Sequence, residues 1–449
     1  MNYPQFPKGF VFGAATSAYQ IEGGHDADGK GASIWDTFVV NKGKIGDGQT
    51  GDVACDTYNN FQTDVDIMSQ LKMTGYRFST SWSRVMPKGK GEVNAKGLDY
   101  YKRLVDALLE KNIDPYITLY HWDMPQALYE ENKGFAHRDT AKYFADYSRV
   151  MVQALGDRVN NWITLNEPWE HAMMGYFLGT DAPGHKNPKL YFKTVHHQLL
   201  GHGLALKAMR STNSDLNIGI TLSQFPLYSN KEHPNKRDLD SVEFADMFVN
   251  RFFLDGIFKG EYPKKLMKKM WPIKPKVMAG DMEAISGKID FLGVNYYSPL
   301  YAQRKWYIPL MKTWIDQETP DYMKNTDPTI PGYPDGFRVL SKMYREDYGN
   351  PPVYITENGT RTRDVVKNGR VADTPRIDYM THYLTALQKA IEEGGDIRGC
   401  FAWTLMDNFE WRHGNDFRMG LVHTDFDTRE RTIKDSGYWF RDMIISQRG

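Results

Sequence analysis

Residues 161–167 read NWITLNE, and residues 353–359 read VYITENG. Each is a short run rich in β-branched and aromatic residues, the type that fits a buried strand. Each stops on a glutamate with an asparagine beside it. Six further runs share this character and are bounded by Gly, Pro, Asn or Asp: FVFGAAT (10–16), GYRFSTSW (75–82), DPYITLY (114–120), NIGITLS (217–223), DFLGVNYY (290–297) and IRGCFAWTL (397–405). Between them lie helical patterns: LDYYKRLVDALLEKN (98–112), TAKYFADYSRVMVQALGD (140–157), VHHQLLGHGLALKAMRS (195–211) and RIDYMTHYLTALQKAIEEGG (376–395). Asn112 and Gly156 are their stop signals in the first two cases. Strands alternating with helices imply parallel pairing with crossovers, and eight such units predict closure. The expected fold is α/β, a (β/α)8 TIM barrel, one domain over 1–449. A minimal barrel needs about 250 residues, so the surplus is expected in long βα loops, chiefly 42–52 and 304–336. No glycine fingerprint of a doubly wound sheet follows the first strand.

Composition narrows the function. Lys plus Arg and Asp plus Glu number 56 each, so net charge is zero and no nucleic-acid partner is expected. No run approaches the roughly 20 apolar residues of a membrane span. The opening MNYPQFPKGF has no basic segment leading into an apolar one, and a cytoplasmic location is expected. The two cysteines, Cys55 and Cys400, fit neither a disulfide framework nor a zinc motif. Aromatics are abundant (Trp 11, Tyr 27, Phe 23), enough to fill a core and also to supply flat faces for sugar rings. Homo-oligomerisation is left open.

A barrel of this kind carries its site at the C-terminal ends of the strands. The residues there are Gln20 and Glu22; Arg77; His121 and Trp122; Asn166 and Glu167; Asn295, Tyr296 and Tyr297; Glu357 and Asn358; and Trp403, with Glu410 and Trp411 just beyond. The fifth run, ending near Ser223, offers little. Together these groups can bind several hydroxyls and move protons. They lack the cation density of a polyphosphate site and need no metal. Two carboxyl groups facing across one bond are what glycoside hydrolysis requires. One protonates the leaving oxygen, and the other attacks the sugar carbon or activates water. Arg77 and Tyr297 are candidates to hold one carboxylate ionised. The residues alone leave open which glutamate takes which role.

These motifs resemble glycoside hydrolase family 1, the β-glucosidase family. FVFGAATSAYQIEGG, SIWDTF, YRFSTSWSRVMP, TLYHWDMPQAL, WITLNEP, FLGVNYY, VYITENG and WTLMDNFEW match its pattern in order, nearly end to end. The resemblance implies a retaining double displacement without cofactor. It makes Glu167 the general acid/base and Glu357 the nucleophile, with Arg77 and Tyr297 orienting Glu357. It assigns Gln20, His121, Asn166, Glu410 and Trp411 to the non-reducing sugar, Trp403 to its platform, and Trp122 and Asn295 to the same binding surface. The implied substrates are small β-glycosides, namely cello-oligosaccharides and aryl or alkyl β-glucosides. Two rival readings are a 6-phospho-β-glucosidase and a non-catalytic β-glycoside-binding protein. Members acting on phosphorylated sugars lack the acidic residue at the Glu410 position, and RHGNDFRMG (412–420) offers no Lys-x-Tyr. Both glutamates are present, which speaks against a silent binder.

Two departures from the family pattern stand out. Met419 replaces a usual aromatic near the sugar's 6-hydroxyl. Thr360 follows ENG and creates an Asn358-Gly359-Thr360 sequon, read here as a catalytic strand end. His196, His197 and His202 share one helix, but lack the four-residue spacing of a metal motif. Trp169, Met173 and Phe177 are candidates for the leaving-group side. Trp306 and Trp314, in the long loop before the seventh strand, are candidates for core or lid packing or for substrate contact.

Overall fold

The computed structural model describes residues 3–41, 45, 48–323 and 332–447. The eight apolar runs form eight parallel strands: β1 Val11–Thr16, β2 Gly75–Ser79, β3 Asp114–Tyr120, β4 Asn161–Asn166, β5 Asn217–Ser223, β6 Phe291–Asn295, β7 Val353–Asn358 and β8 Ile397–Trp403. They close in the order β1-β8-β7-β6-β5-β4-β3-β2, which leaves no free sheet edge. The outer ring is α1 Thr57–Gln70, α2 Ala95–Glu110, α3 Asp139–Leu155, α4 Pro188–Thr212, α5 Lys236–Asp246, α6 Gly336–Asp347, α7 Thr374–Glu392 and α8 Asp435–Ser446. α4 starts seven residues before the expected 195. Asn187 caps it by accepting from the amides of Lys189 and Leu190, and Pro188 occupies the first turn, where its missing N–H costs nothing.

Two hydrophobic layers result. The larger lies between barrel and helices. The smaller fills the barrel and comprises Ala15, Tyr116, Ile163, Phe291, Tyr354, Phe401 and Trp403. Trp403 is both the top of this plug and the last residue of β8, so the floor of the site is continuous with the core.

Both glutamate-bearing strands break the period-2 rule near their ends. On β7, Tyr354 packs inside and Thr356 bonds to Thr221 and Asn295, so strict alternation would turn Glu357 outward. A register shift between Ile355 and Glu357 against β6 turns it into the mouth instead. On β4, Thr164 faces α4 and meets His202 at 2.7 Å, which would send Asn166 outward as well. A shift between Ile163 and Asn166 against β5 brings it in. An extra residue in one strand re-aims every side chain after it, which is why bulges recur beside active sites.

The expected long loops contain structure of their own. Leu300–Arg304 pairs with Leu227–Ser229 and Thr313–Asp316 in a three-stranded sheet. The segments 42–52 and 304–336 are partly covered, since residues 42–44, 46, 47 and 324–331 lie outside the described residues. Trp306 and Trp314 are exposed on the described part. Cys55 and Cys400 are free and buried, and burial pushes each thiol up to about 12. No helix among the described residues is long and apolar enough to cross a membrane.

Phe401 is fully buried in the barrel plug against Tyr116. Phe401→Ala is expected to cost about 3–5 kcal/mol, read as a lowered midpoint in equilibrium urea unfolding. An unchanged midpoint would show that the plug is not a stabilising core.

Candidate active site

The strand ends meet in one cleft of about 440 Å³ at the barrel mouth. His121, Trp122, Glu167, Asn295, Tyr297, Glu357, Trp403, Glu410 and Trp411 line it. Three other sequence candidates stand just behind this surface. Arg77 is fully buried beneath it, Asn166 touches Glu167, and Gln20 backs Glu410. Glu22 and Tyr296 go elsewhere, Glu22 to Arg84 and Tyr101 and Tyr296 to the carbonyl of Tyr333. The Asn358 side-chain nitrogen donates to Tyr296 O and Tyr379 Oη, so the sequon nitrogen is already engaged. A larger, more open groove of about 880 Å³ on the barrel flank, by Tyr3 and Trp439, contains none of the strand-end residues.

The centre of the site is a chain of short contacts. Arg77 Nη1 donates to Glu357 Oε1 at 2.5 Å, and Nη2 donates to Asn166 Oδ1 at 2.6 Å. Asn166 Nδ2 lies 3.3 Å from Glu167 Oε2 and 3.0 Å from His121 Nε2. Tyr297 donates its phenol to Glu357 Oε2 at 2.8 Å. Asn295 donates to Asn166 Oδ1 at 3.1 Å and accepts from Thr356 at 2.7 Å. The two glutamates, distant in sequence, are thus joined through one guanidinium and one amide.

Their environments differ. Burial pushes the Glu357 carboxyl up, and the Arg77 charge, the Tyr297 phenol and Asn295 oppose it. Glu167 meets amides rather than a bonded cation. Burial, then the charges of Glu357 and Glu170, hold its pKa well above the usual carboxylate range. Burial and the nearby Arg77 push His121 well below the usual imidazole range, so its ring is neutral. Its Nδ1 is buried and has no hydrogen-bond partner among the described residues. Glu410 is pushed up to about 8 by burial, with Glu357 adding to the effect.

Aromatic rings form the floor and wall. The His121 ring stacks near Trp403 at 5.7 Å, and Trp122 lies 4.9 Å from Trp411. Trp122, Glu167 and Trp411 all have left-handed backbone, with φ of 76°, 46° and 49°. Such strain in non-glycine residues concentrates at functional sites. Met419 lines the wall, as its position suggested. The cleft also takes in Ser223, at the strand end that offered little, and residues that the sequence reading did not single out: Glu170, Phe225, Ser298, Gln317, Arg361 and Phe417. The Arg361 guanidinium lies 4.4 Å from the Phe417 ring centre, and His413 stacks on Phe417 at 3.9 Å.

Trp169 packs edge-on against Phe225, and Phe177 against Tyr191, so their contacts are with other aromatics. The α4 histidines are held by protein groups. His196 bonds to Tyr262 and Asp281, His197 to Phe135 O, and His202 to Thr164.

A carboxyl pair at the mouth of an eight-stranded barrel, one braced by a cation and a phenol and the other biased to hold a proton, makes a glycoside hydrolase. Comparison with known proteins specifies which. The chain belongs to glycosyl hydrolase family 1, whose model matches residues 2–449. It is 43% identical to Beta-glucosidase A of Thermotoga maritima over 451 residues, covering 99% of this chain and 98% of that one. It is 43% identical to Beta-glucosidase A of Acetivibrio thermocellus, covering 99% of each. A solved family 1 β-glucosidase structure from Thermotoga maritima superposes with a TM-score of 0.93 at 42% identity, covering 100% of this chain and 99% of that one. The same Thermotoga enzyme has also been solved with castanospermine bound.

A buried acid whose folded pKa is raised contributes stability that is complete below about 4.5 and lost as pH rises towards about 8. Glu410→Gln removes that loss. The variant is expected to be more stable than the parent at pH 7.5 by about 1–3 kcal/mol, with the gain shrinking towards pH 5. Urea unfolding at both pH values measures it, and a pH-independent difference would contradict the raised Glu410.

Proposed function

We propose that the protein is a retaining β-glucosidase that removes terminal non-reducing β-D-glucosyl residues from cello-oligosaccharides and from aryl or alkyl β-glucosides. The observation that carries the role assignment is the asymmetry around the two carboxyls. Arg77 and Tyr297 both engage Glu357, and neither bonds to Glu167. Glu357 is therefore the ionised nucleophile, and Glu167 holds the proton for the leaving oxygen. Glu357 attacks the anomeric carbon while Glu167 gives its proton to the departing alcohol. Glu167, now a carboxylate, then takes a proton from water, which displaces Glu357 and completes net retention.

The other groups fit a single non-reducing glucosyl ring. Trp403 offers a flat face beneath it. Gln20, His121, Glu410 and the Trp411 indole can meet its outer hydroxyls, and Asn166 its 2-hydroxyl, where contacts strengthen in the transition state. The names of the relatives, Beta-glucosidase A and 1,4-beta-D-glucan glucohydrolase, agree with this substrate class.

Glu357→Gly is expected to lower kcat for 4-nitrophenyl β-glucoside at least about a thousandfold. Added azide should restore turnover through the vacated space and yield the α-glucosyl azide. Full activity in the variant would remove the proposed nucleophile. Proton NMR of the parent reaction should show β-glucose forming before mutarotation. A strong preference for cellobiose 6′-phosphate over cellobiose would overturn the use made of Glu410.

Removing the Arg77 cation raises the Glu357 pKa, and the nucleophile must be ionised. In Arg77→Met the acid limb of the kcat/KM profile should therefore move to higher pH by about 1–3 units, with the alkaline limb less displaced. An acid limb that stays in place would separate Arg77 from the nucleophile.

A further inference from the structure

Glu170 lies one helical turn beyond Glu167 on the short helix Pro168–Ala172, and its side chain lines the same cleft as the two catalytic carboxyls. The mechanism above gives it no task. It is half-buried, and no described residue hydrogen-bonds to its carboxyl. The same cleft is lined by Ser223, at the end of β5, whose hydroxyl is buried and has no hydrogen-bond partner among the described residues. Asp181, a nearly buried acid with an unpartnered Oδ1, sits behind Glu170, and Arg412 lies 3.9 Å from that oxygen. Neither group satisfies Glu170. A carboxyl costs free energy to bury without a partner, so an unpartnered one on a cleft wall is placed for a ligand.

The direction of that ligand follows from the layout. The glucosyl ring is claimed by Trp403, Gln20, His121 and Glu410, on the side of the cleft formed by β1, β3 and β8. Glu170 and Ser223 come from the β4–β5 side, as does the proton-bearing Glu167. The leaving oxygen must face Glu167, so whatever is attached to it extends towards this wall. We propose that Glu170 is a specificity-determining residue for the leaving group, using its carboxyl with the Ser223 hydroxyl to bind the hydroxyls of a second sugar. Burial, with the charge of Asp181, pushes the Glu170 carboxyl up to about 8. A protonated carboxyl both donates and accepts, as does a hydroxyl, and the pair matches the vicinal hydroxyls of a pyranose. This rests on the β-glucosidase reading above and adds to it a preference for sugar over apolar leaving groups.

Glu170 also touches the mechanism indirectly, since its charge helps to raise Glu167. The test must therefore compare leaving groups that need the same proton. Cellobiose and n-octyl β-glucoside both release an aliphatic alcohol that needs the proton of Glu167, and only the first carries hydroxyls beyond the bond. The ratio of kcat/KM for cellobiose to that for octyl glucoside should fall at least tenfold in Glu170→Val and by less in Glu170→Gln. Each ratio is taken on one preparation, so loss of folded enzyme cancels. An unchanged ratio in both variants, including a parallel fall on both substrates, would overturn the proposal and leave Glu170 acting only through Glu167. If the parent cleaves neither β-glucoside, the failure lies in the functional reading and not in the assignment of Glu170.

Discussion

The site depends on one buried cation. Arg77 has no exposed surface, and moving a guanidinium out of water costs several kcal/mol. That cost is offset by four acceptors: Glu357 Oε1, Asn166 Oδ1, the Thr356 carbonyl and the Thr118 hydroxyl. They come from three strands other than its own, so satisfying one side chain fixes β2, β3, β4 and β7 relative to each other. The same contacts oppose the rise in the Glu357 pKa. Positioning and charge control are therefore one interaction, and a lysine could not replace it, because a single ammonium lacks the planar fork.

The remainder of the constellation is a set of consequences. Asn166, tied to Arg77 through its oxygen, must present its nitrogen to Glu167 and His121. Glu167 is left without a bonded cation, and burial with the charges of Glu357 and Glu170 raises its pKa. The left-handed backbone at Trp122, Glu167 and Trp411 persists because packing over-determines it. Trp411, for example, lies against Trp35, Trp122 and Tyr19. A second buried network supports the eighth loop. Asp407 accepts from Lys434 and from the Gly420 amide, which pins the segment carrying Met419 beside the one leading to Glu410.

Much of this was legible in the chain. Eight β-rich runs separated by helical periodicity specify a closed parallel barrel, because no other arrangement buries eight such strands without an edge. All eight were located to within three residues at each end, and twelve candidate side chains either line the mouth or stand directly behind it. Polar residues at the ends of apolar runs are legible because the chemistry at a barrel's mouth is contributed strand by strand, in sequence order. Ser223 and Glu170 were not. A serine after a strand and a glutamate on a helix are ordinary surface residues until a cleft is known to pass them. The small sheet in the 304–336 segment was missed for a related reason. Its strands are short, and Leu300–Arg304, which pairs with Thr313–Asp316, pairs on its other edge with residues 227–229, far away in sequence.

By itself, then, the order of amino acids determined the barrel, the pair of glutamates and the company they keep, since periodicity and strand-end chemistry are local properties. Only the tertiary structure decided which carboxyl the guanidinium and the phenol engage. That choice rests on where the guanidinium of β2 comes to lie, and on two register shifts that turn Asn166 and Glu357 inward against the alternation of their own strands. A pKa is set by burial and by charges within a few ångströms, and closure of the barrel is what brings those charges together.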